Sequence, residues 1–206
     1  MPYLGNEVAP LVQALEGKEL KLDSDGDSSI QASTDDTVIF KTNNTTAMTI
    51  NSSNLVLPKI PILQVASTNT DQSLSAGTTT KVQWETVEID SLSGWSTANN
   101  RYTPTVAGYY LVGGVIRYNF PSDVAYLITS VNKNGSSSEG VNMLRNQFNH
   151  GSDTIDNGSY PIATGLMQMN GTSDYMEVYV SADESATLHD AVSPKSYFFA
   201  KLVHAT

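Results

Sequence analysis

Residues 23–27, Asp23-Ser24-Asp25-Gly26-Asp27, put three carboxylates into one short stretch, and clustered hard oxygens are what calcium takes. An EF-hand loop needs Asp-x-Asp-x-Asp-Gly and a glutamate at position twelve. Here the glycine comes early, and the twelfth residue counted from Asp23 is Thr34. The stretch therefore reads as an Asp-Gly turn. A second acidic cluster, Asp183-Glu184 with Asp190, falls before the last predicted strand and is likewise read against calcium. His150, His189 and His204 are scattered with no second histidine at ligand spacing, and the adjacency of His189 and Asp190 does not by itself put a carboxylate on an imidazole nitrogen. Serine is abundant, but no strand–Gly-x-Ser-x-Gly–helix turn presents one as a nucleophile. Paired carboxylates of the glycosidase kind are brought together only in space, so the sequence leaves them open. No catalytic residue, metal or cofactor is assigned, and the chain reads as non-enzymatic.

The composition narrows the partners. The formal net charge is −10, with charged residues only 16% of the chain. Nucleic-acid binding, which needs clustered Lys and Arg to displace counterions, is not expected, and neither is an anionic membrane surface. With no cysteine there is no disulfide framework and no thiolate metal site. The first twenty residues lack the basic and apolar regions of a secretory signal, and no window is apolar over the ~18 residues a membrane span requires. Synthesis in a cytoplasm and a soluble product are expected.

Three regions are expected to position whatever the chain presents. Residues 1–20 hold the one plausible helix, with Val8, Leu11, Val12 and Leu15 at helical spacing, Pro10 inside it and Gly17 ending it. These positions, with Tyr3 and Leu4, have no core of their own to enter and read as an attachment segment. Residues 21–61 form a strand-rich stalk with a stiff Leu57-Pro58-Lys59-Ile60-Pro61 hinge. Its short strands, predicted at Glu19–Leu22, Ser29–Ala32, Thr37–Lys41, Ala47–Ile50 and Asn54–Leu57, alternate with Asp/Gly and Asn/Ser turns. One copy has too few large apolar residues to bury a core, so identical copies must share them. Residues 62–206 carry longer strands, predicted at Leu63–Ala66, Lys81–Ile89, Tyr109–Tyr118, Tyr126–Asn132, Val141–Phe148, Tyr160–Met169, Tyr175–Ser181 and Tyr197–Val203. Asn134-Gly135 and Asn170-Gly171 are the clearest turns between them. That is an all-β sandwich or jelly roll.

One strand departs from the usual alternation. In residues 102–118, Tyr109, Leu111 and Val115 lie on one face and Tyr110, Val112 and Ile116 on the other, so both faces are apolar. Such a strand is buried twice, once in its own domain and once against something else.

The order of several fragments resembles a C1q/TNF-like domain over residues 75–206. The fragments are Lys81-Val82-Gln83-Trp84, Asp90, Trp95 with Asn99-Asn100, and the run from Tyr102 through Pro104 and Gly108 to Tyr109-Tyr110. Val131 to Gly135, the segment Met169–Val180 and the closing Ser196–Leu202 follow in the same order. The departures are the spacing from Tyr102 to Pro104, one residue shorter than in some members, Thr172 and Ser173, which intervene before Asp174, and Phe199, which stands where a glycine is common. The resemblance implies a ten-stranded jelly roll assembled as a tight homotrimer. It also implies that Leu111 and Gly113, with Tyr197 and Phe199 of the last strand, face the three-fold axis, Gly113 letting backbones approach.

The stalk, LDSDGDSSIQASTDDTVIF followed by Met48-Thr49-Ile50, resembles the Asp-Gly-rich shafts of fibres on tailed bacteriophages, especially marine ones, and MPYLGN is similar to the start of such virion proteins. The expectation is a virion surface protein, a tail or head fibre. Its N-terminus would grip other virion proteins, and its C1q-like head would meet a host cell-surface glycan or protein. The alternatives are a capsid decoration protein that braces the shell and a cellular C1q-like adhesin or lectin.

Overall fold

The structure, a computed structural model, describes residues 19–56, 60–67, 71–119, 124–135, 142–149, 162–188 and 196–206. The expected attachment residues Tyr3, Leu4, Val8, Leu11, Val12 and Leu15, and with them the predicted helix, lie outside the described residues, as do His150, His189 and Asp190. The chain divides into two compact units, Met1–Lys59 and Ile60–Thr206.

In the first unit, β1 (Glu19–Lys21), β2 (Ser29–Thr34), β3 (Thr37–Thr42), β4 (Thr45–Asn51) and β5 (Leu55–Val56) form an antiparallel meander in chain order. Asn43 and Asn44, both at positive φ, make the two-residue turn between β3 and β4, the backbone that a tight hairpin demands. Register then sorts the side chains. Leu20 pairs Ile30, Ile30 pairs Phe40 and Phe40 pairs Met48, while Val38 pairs Ile50 and Ile50 pairs Leu55. These seven residues share one face, and none of them is buried. The opposite face holds a polar network. Glu19 accepts from Ser29 and pairs with Lys21 at 2.9 Å and Lys41 at 3.3 Å, and Lys41 also donates to Gln31 at 2.9 Å.

The second unit contains β6 (Ile62–Ala66), β7 (Gln72–Leu74), β8 (Thr80–Lys81), β9 (Thr86–Asp90), β10 (Trp95–Ser96), β11 (Arg101–Tyr102) and β12 (Ala107–Val115). It continues with β13 (Tyr118–Asn119), β14 (Tyr126–Lys133), β15 (Met143–Asn149), β16 (Ile162–Asn170), β17 (Met176–Ala182), β18 (Ala186–Leu188) and β19 (Tyr197–Ala205). An inner sheet runs β16-β12-β19-β6-β9. An outer sheet runs β10-β11-β17-β14-β15, with β8 also on β17, and β13-β18-β7 forms a small third sheet. The fold is an all-β jelly-roll sandwich. Its core lies between the sheets, from Leu63, Tyr110, Val112, Met167 and Phe198 on one side to Leu127, Val131, Met176 and Val178 on the other.

Two predicted strands break where the chain leaves a sheet. Lys81–Ile89 is one alternating run in sequence, yet β8 pairs the outer sheet and β9 the inner. Between them the Trp84 ring enters the core and its backbone N–H donates to Asn100 Oδ1 at 2.8 Å instead of to a strand. The predicted Tyr109–Tyr118 strand stops at Val115 because the Arg117 amide turns to Ser196 Oγ at 2.9 Å. Asn170-Gly171, expected as a turn between neighbouring strands, carries the chain from the inner sheet to the outer one. Asn170 Oδ1 accepts from the amides of Thr172, Ser173 and Asp174 and winds the intervening residues into that crossing.

Candidate functional site

The doubly apolar strand is the place to begin. Of the two faces of β12, Tyr110 and Val112, with Ile116 just past its end, are fully buried in the sandwich, whereas Tyr109 and Leu111 are each 39% exposed. On the second face Val115, expected to be open with these two, is buried at 6% exposure, and Gly113 is buried under the Phe199 ring, so within one chain that face is open only toward Tyr109 and Leu111. Register carries the open face across the inner sheet. Leu111 lies between Leu166 of β16 and Lys201 of β19, Gly113 between Thr164 and Phe199, Val115 between Ile162 and Tyr197, and Tyr109 between Gln168 and His204. Ile162 and Leu166 are exposed, Leu166 at 58%. The four expected axis residues, Leu111, Gly113, Tyr197 and Phe199, thus sit together on one outward surface. Sequence reasoning missed that Ile162 and Leu166 belong to it. Their signal was present in the alternation Ile162, Thr164, Leu166, Gln168, which reads apolar at two of four positions on the face opposite Ala163, Met167 and Met169.

Gly113 has a role already inside one chain. A Cβ there would lie 2.5 Å from the Phe199 ring, so the glycine seats that ring flat across β12. The ring in turn packs beside Tyr197, with centroids 6.3 Å apart. Gly108 answers a similar need, since a Cβ would meet the His204 carbonyl at 2.2 Å where β12 and β19 shift register. Tyr110 is anchored by its hydroxyl, which donates to the Val106 carbonyl at 2.7 Å, and burial pushes that hydroxyl up to about 12.

The polar candidates are mostly structural. Asp23, Asp25 and Asp27 do converge, one oxygen of each lying within 4.8 Å of the others. Asp23 already accepts the Ser28 amide at 3.1 Å, and hydrogen bonds from the Ser28 side chain and backbone hold its carboxyl below the usual range. Asp183 accepts from the amides of Ala125 and Tyr126 at 2.9–3.0 Å and so closes a loop end. Its carboxyl, for all the desolvation it suffers, is held low by those amides. Asp174 ties two turns together. It meets Lys133 Nζ at 2.7 Å and Asn134 Nδ2 at 2.8 Å, and accepts the Asn170 amide at 3.0 Å. His204, the one histidine among the described residues, lies beside the Tyr109 ring, with centroids 6.4 Å apart.

The outward surface of the outer sheet differs in kind. A groove of about 290 Å³ crosses β15, β14 and β17, and its floor holds Ser130, Asn132 and Ser181. Beside it Glu177 is buried and satisfied, with Lys81 Nζ at 2.8 Å and the Tyr179 hydroxyl donating at 2.7 Å.

No protein-family model and no curated sequence matches the chain. Solved structures do. The globular domain of zebrafish complement 1qA superposes with a TM-score of 0.51 at 12% identity, covering 72% of this chain and 100% of that one. Murine APRIL gives 0.50 at 17% identity, covering 70% and 100%, and Eiger TNF from S. frugiperda gives 0.51 at 16% identity, covering 70% and 92%. At such identities the likeness is one of architecture, and residues 60–206 have the jelly-roll fold of C1q and TNF domains.

Proposed function

We propose that the chain is a non-enzymatic, homotrimeric fibre protein of a tailed bacteriophage, displaying a C1q-like head on the virion surface for adsorption to a host cell. The observation that carries the assembly is the open apolar face of the inner sheet. Tyr109, Leu111, Ile162 and Leu166 stay exposed on it, with the half-buried Tyr197 and Phe199 on the same face, a clustering of apolar side chains that soluble monomers rarely leave in water. Three copies meeting there would cover it, with Leu111, Gly113, Tyr197 and Phe199 nearest the axis. The fold supports this reading, because the C1q resemblance implies that same sheet at a three-fold. The seven-residue apolar face of the 19–56 sheet calls for the same solution.

The phage setting rests on the Asp-Gly-rich segment and the MPYLGN start, and it gives the assembly a purpose. Three heads per fibre, and many fibres per particle, multiply a modest affinity for a cell-surface glycan or protein. Residues 1–20 would dock on other virion proteins. No cofactor, nucleic acid or membrane insertion enters the mechanism.

Sedimentation of the purified chain tests the assembly, with an expected mass about three times the 22.2 kDa of one chain. A folded monomer at micromolar concentration would refute it. Particles lacking the protein test the role: adsorption should fall while heat survival stays unchanged. The reverse result would make it a capsid decoration that braces the shell.

A further inference from the structure

We propose that the outward groove of the outer sheet is a saccharide-binding site centred on Asn132, taking a neutral, hydroxyl-rich ring. The proposal rests on the adsorption reading for its setting and adds to it the site and the class of ligand. The groove lies on the opposite side of the sandwich from the apolar face, because Leu127, Val131, Met176 and Val178 of the same strands point into the core. Ile128, Ser130 and Asn132 therefore point outward, in register with Gln147, Arg145 and Met143 of β15.

Asn132 is 4% exposed, and its side-chain oxygen, buried at the groove, accepts no hydrogen bond from the described residues. A buried amide oxygen without a donor is costly, and a native fold seldom keeps one without use. What it lacks is a donor. An anionic group would face this oxygen lone pair to lone pair, so the group that fits it is a hydroxyl or an amide N–H. Around it the lining is mixed. Ser130 and Ser181 supply hydroxyls that both donate and accept, and the Arg145 guanidinium, which already donates to Gln147 Oε1, borders them. Ile128 and Met143 offer apolar surface for a C–H face. Polar groups at fixed points with an apolar patch between them suit a pyranose, whose hydroxyls radiate from an apolar ring. About 290 Å³ is near the lower end of small-molecule sites, room for a terminal sugar rather than a long chain.

The test uses the full chain, with methyl glycosides of neutral hexoses, 6-deoxyhexoses and N-acetylhexosamines as probes in saturation-transfer NMR. Sialyllactose serves as the anionic comparison. Transfer is expected to at least one neutral glycoside, falling five-fold or more in Asn132→Leu. That substitution keeps the shape and removes the orphaned acceptor, so its Tm should be equal to or above that of the parent. Ser73→Ala, on the small third sheet, should bind like the parent. No transfer to any neutral glycoside, or equal transfer in Asn132→Leu, overturns the proposal. So does a lowered Tm in that variant without glycoside binding, the result expected of a structural water site. Competition for host adsorption by the purified chain separates the two readings. If the parent and Asn132→Leu compete equally, adsorption stands and the groove is wrong; if neither competes, the adsorption reading itself falls.

Discussion

The two units handle their apolar surface differently. The head buries one face of each sheet against the other, so Tyr110, Val112 and Phe198 are fully covered within a single chain. The 19–56 sheet has no second layer among the described residues, and Leu20, Val38, Ile50 and Leu55 stay exposed. A lone antiparallel sheet with one apolar face gains little on folding against the conformational entropy it loses. The head thus has a core on which to fold by itself, whereas the described residues of the first unit have none.

The largest expected effect is a charge on either open face. Phe40→Asp would place a carboxylate on a face that the proposed assembly covers, where burying it unpaired costs several kcal/mol. Hydrogen exchange should then show residues 19–56 unprotected while the head keeps its protected core. Leu111→Asp should do the opposite, leaving the sandwich folded but reducing the sedimenting mass. Glu184→Lys, on an exposed loop, should change neither, and identical behaviour of Leu111→Asp and Glu184→Lys would remove the inner face as an interface.

Next in size is the core. Phe198→Ala deletes a fully buried ring next to Trp84 and Trp95 and should cost about 3–5 kcal/mol of head stability in chemical denaturation. A loss under 1 kcal/mol would mean that the core between the two sheets is not what holds the head.

A smaller effect is expected at the seat of Phe199. Gly113→Val displaces that ring and should cost about 1–3 kcal/mol, and less when combined with Phe199→Ala. Additivity of the two would show that the ring does not rest on the glycine.

The mildest effect is on acid stability, and it belongs to the head. Desolvation is the largest single influence on Asp174 and acts upward, yet Lys133, Asn134 and the Asn170 amide together hold its carboxyl below the ordinary 3.8. Asp183 is lowered by its own amides in the same way. A folded-state value below the unfolded one contributes stability that is present above pH 3.8 and lost as pH falls through the folded value. Head Tm should be level from pH 5 to 8 and fall only below about pH 4. Asp174→Asn should flatten that fall, and a fall beginning near pH 6 would point to another group.

How much could be read from residues alone varied along the chain. The long strands of the head announced themselves through alternation, and β6, β14, β17 and β19 lie within two residues of where periodicity placed them. The short β7, β10, β11 and β18 went unseen, because two or three residues hold no period. The groove was illegible for a related reason. Asn132 and Ser130 look like the wet face of any strand, and nothing local marks an oxygen as buried without a donor.

Period-two patterning could be read straight from the residues: an all-β chain, a strand apolar on both faces at β12, and turns at Asn134-Gly135 and Asn170-Gly171. Side-chain type and backbone sterics suffice for that, since both act over a few residues. The closed sandwich alone settles which sheet each strand joins and how Gly113 seats Phe199. It also decided that Ile162 and Leu166 extend the Leu111 surface, and that Asn132 lies at the floor of a groove. Those outcomes depend on register between segments far apart in the chain, and register is set when both sheets close on one core.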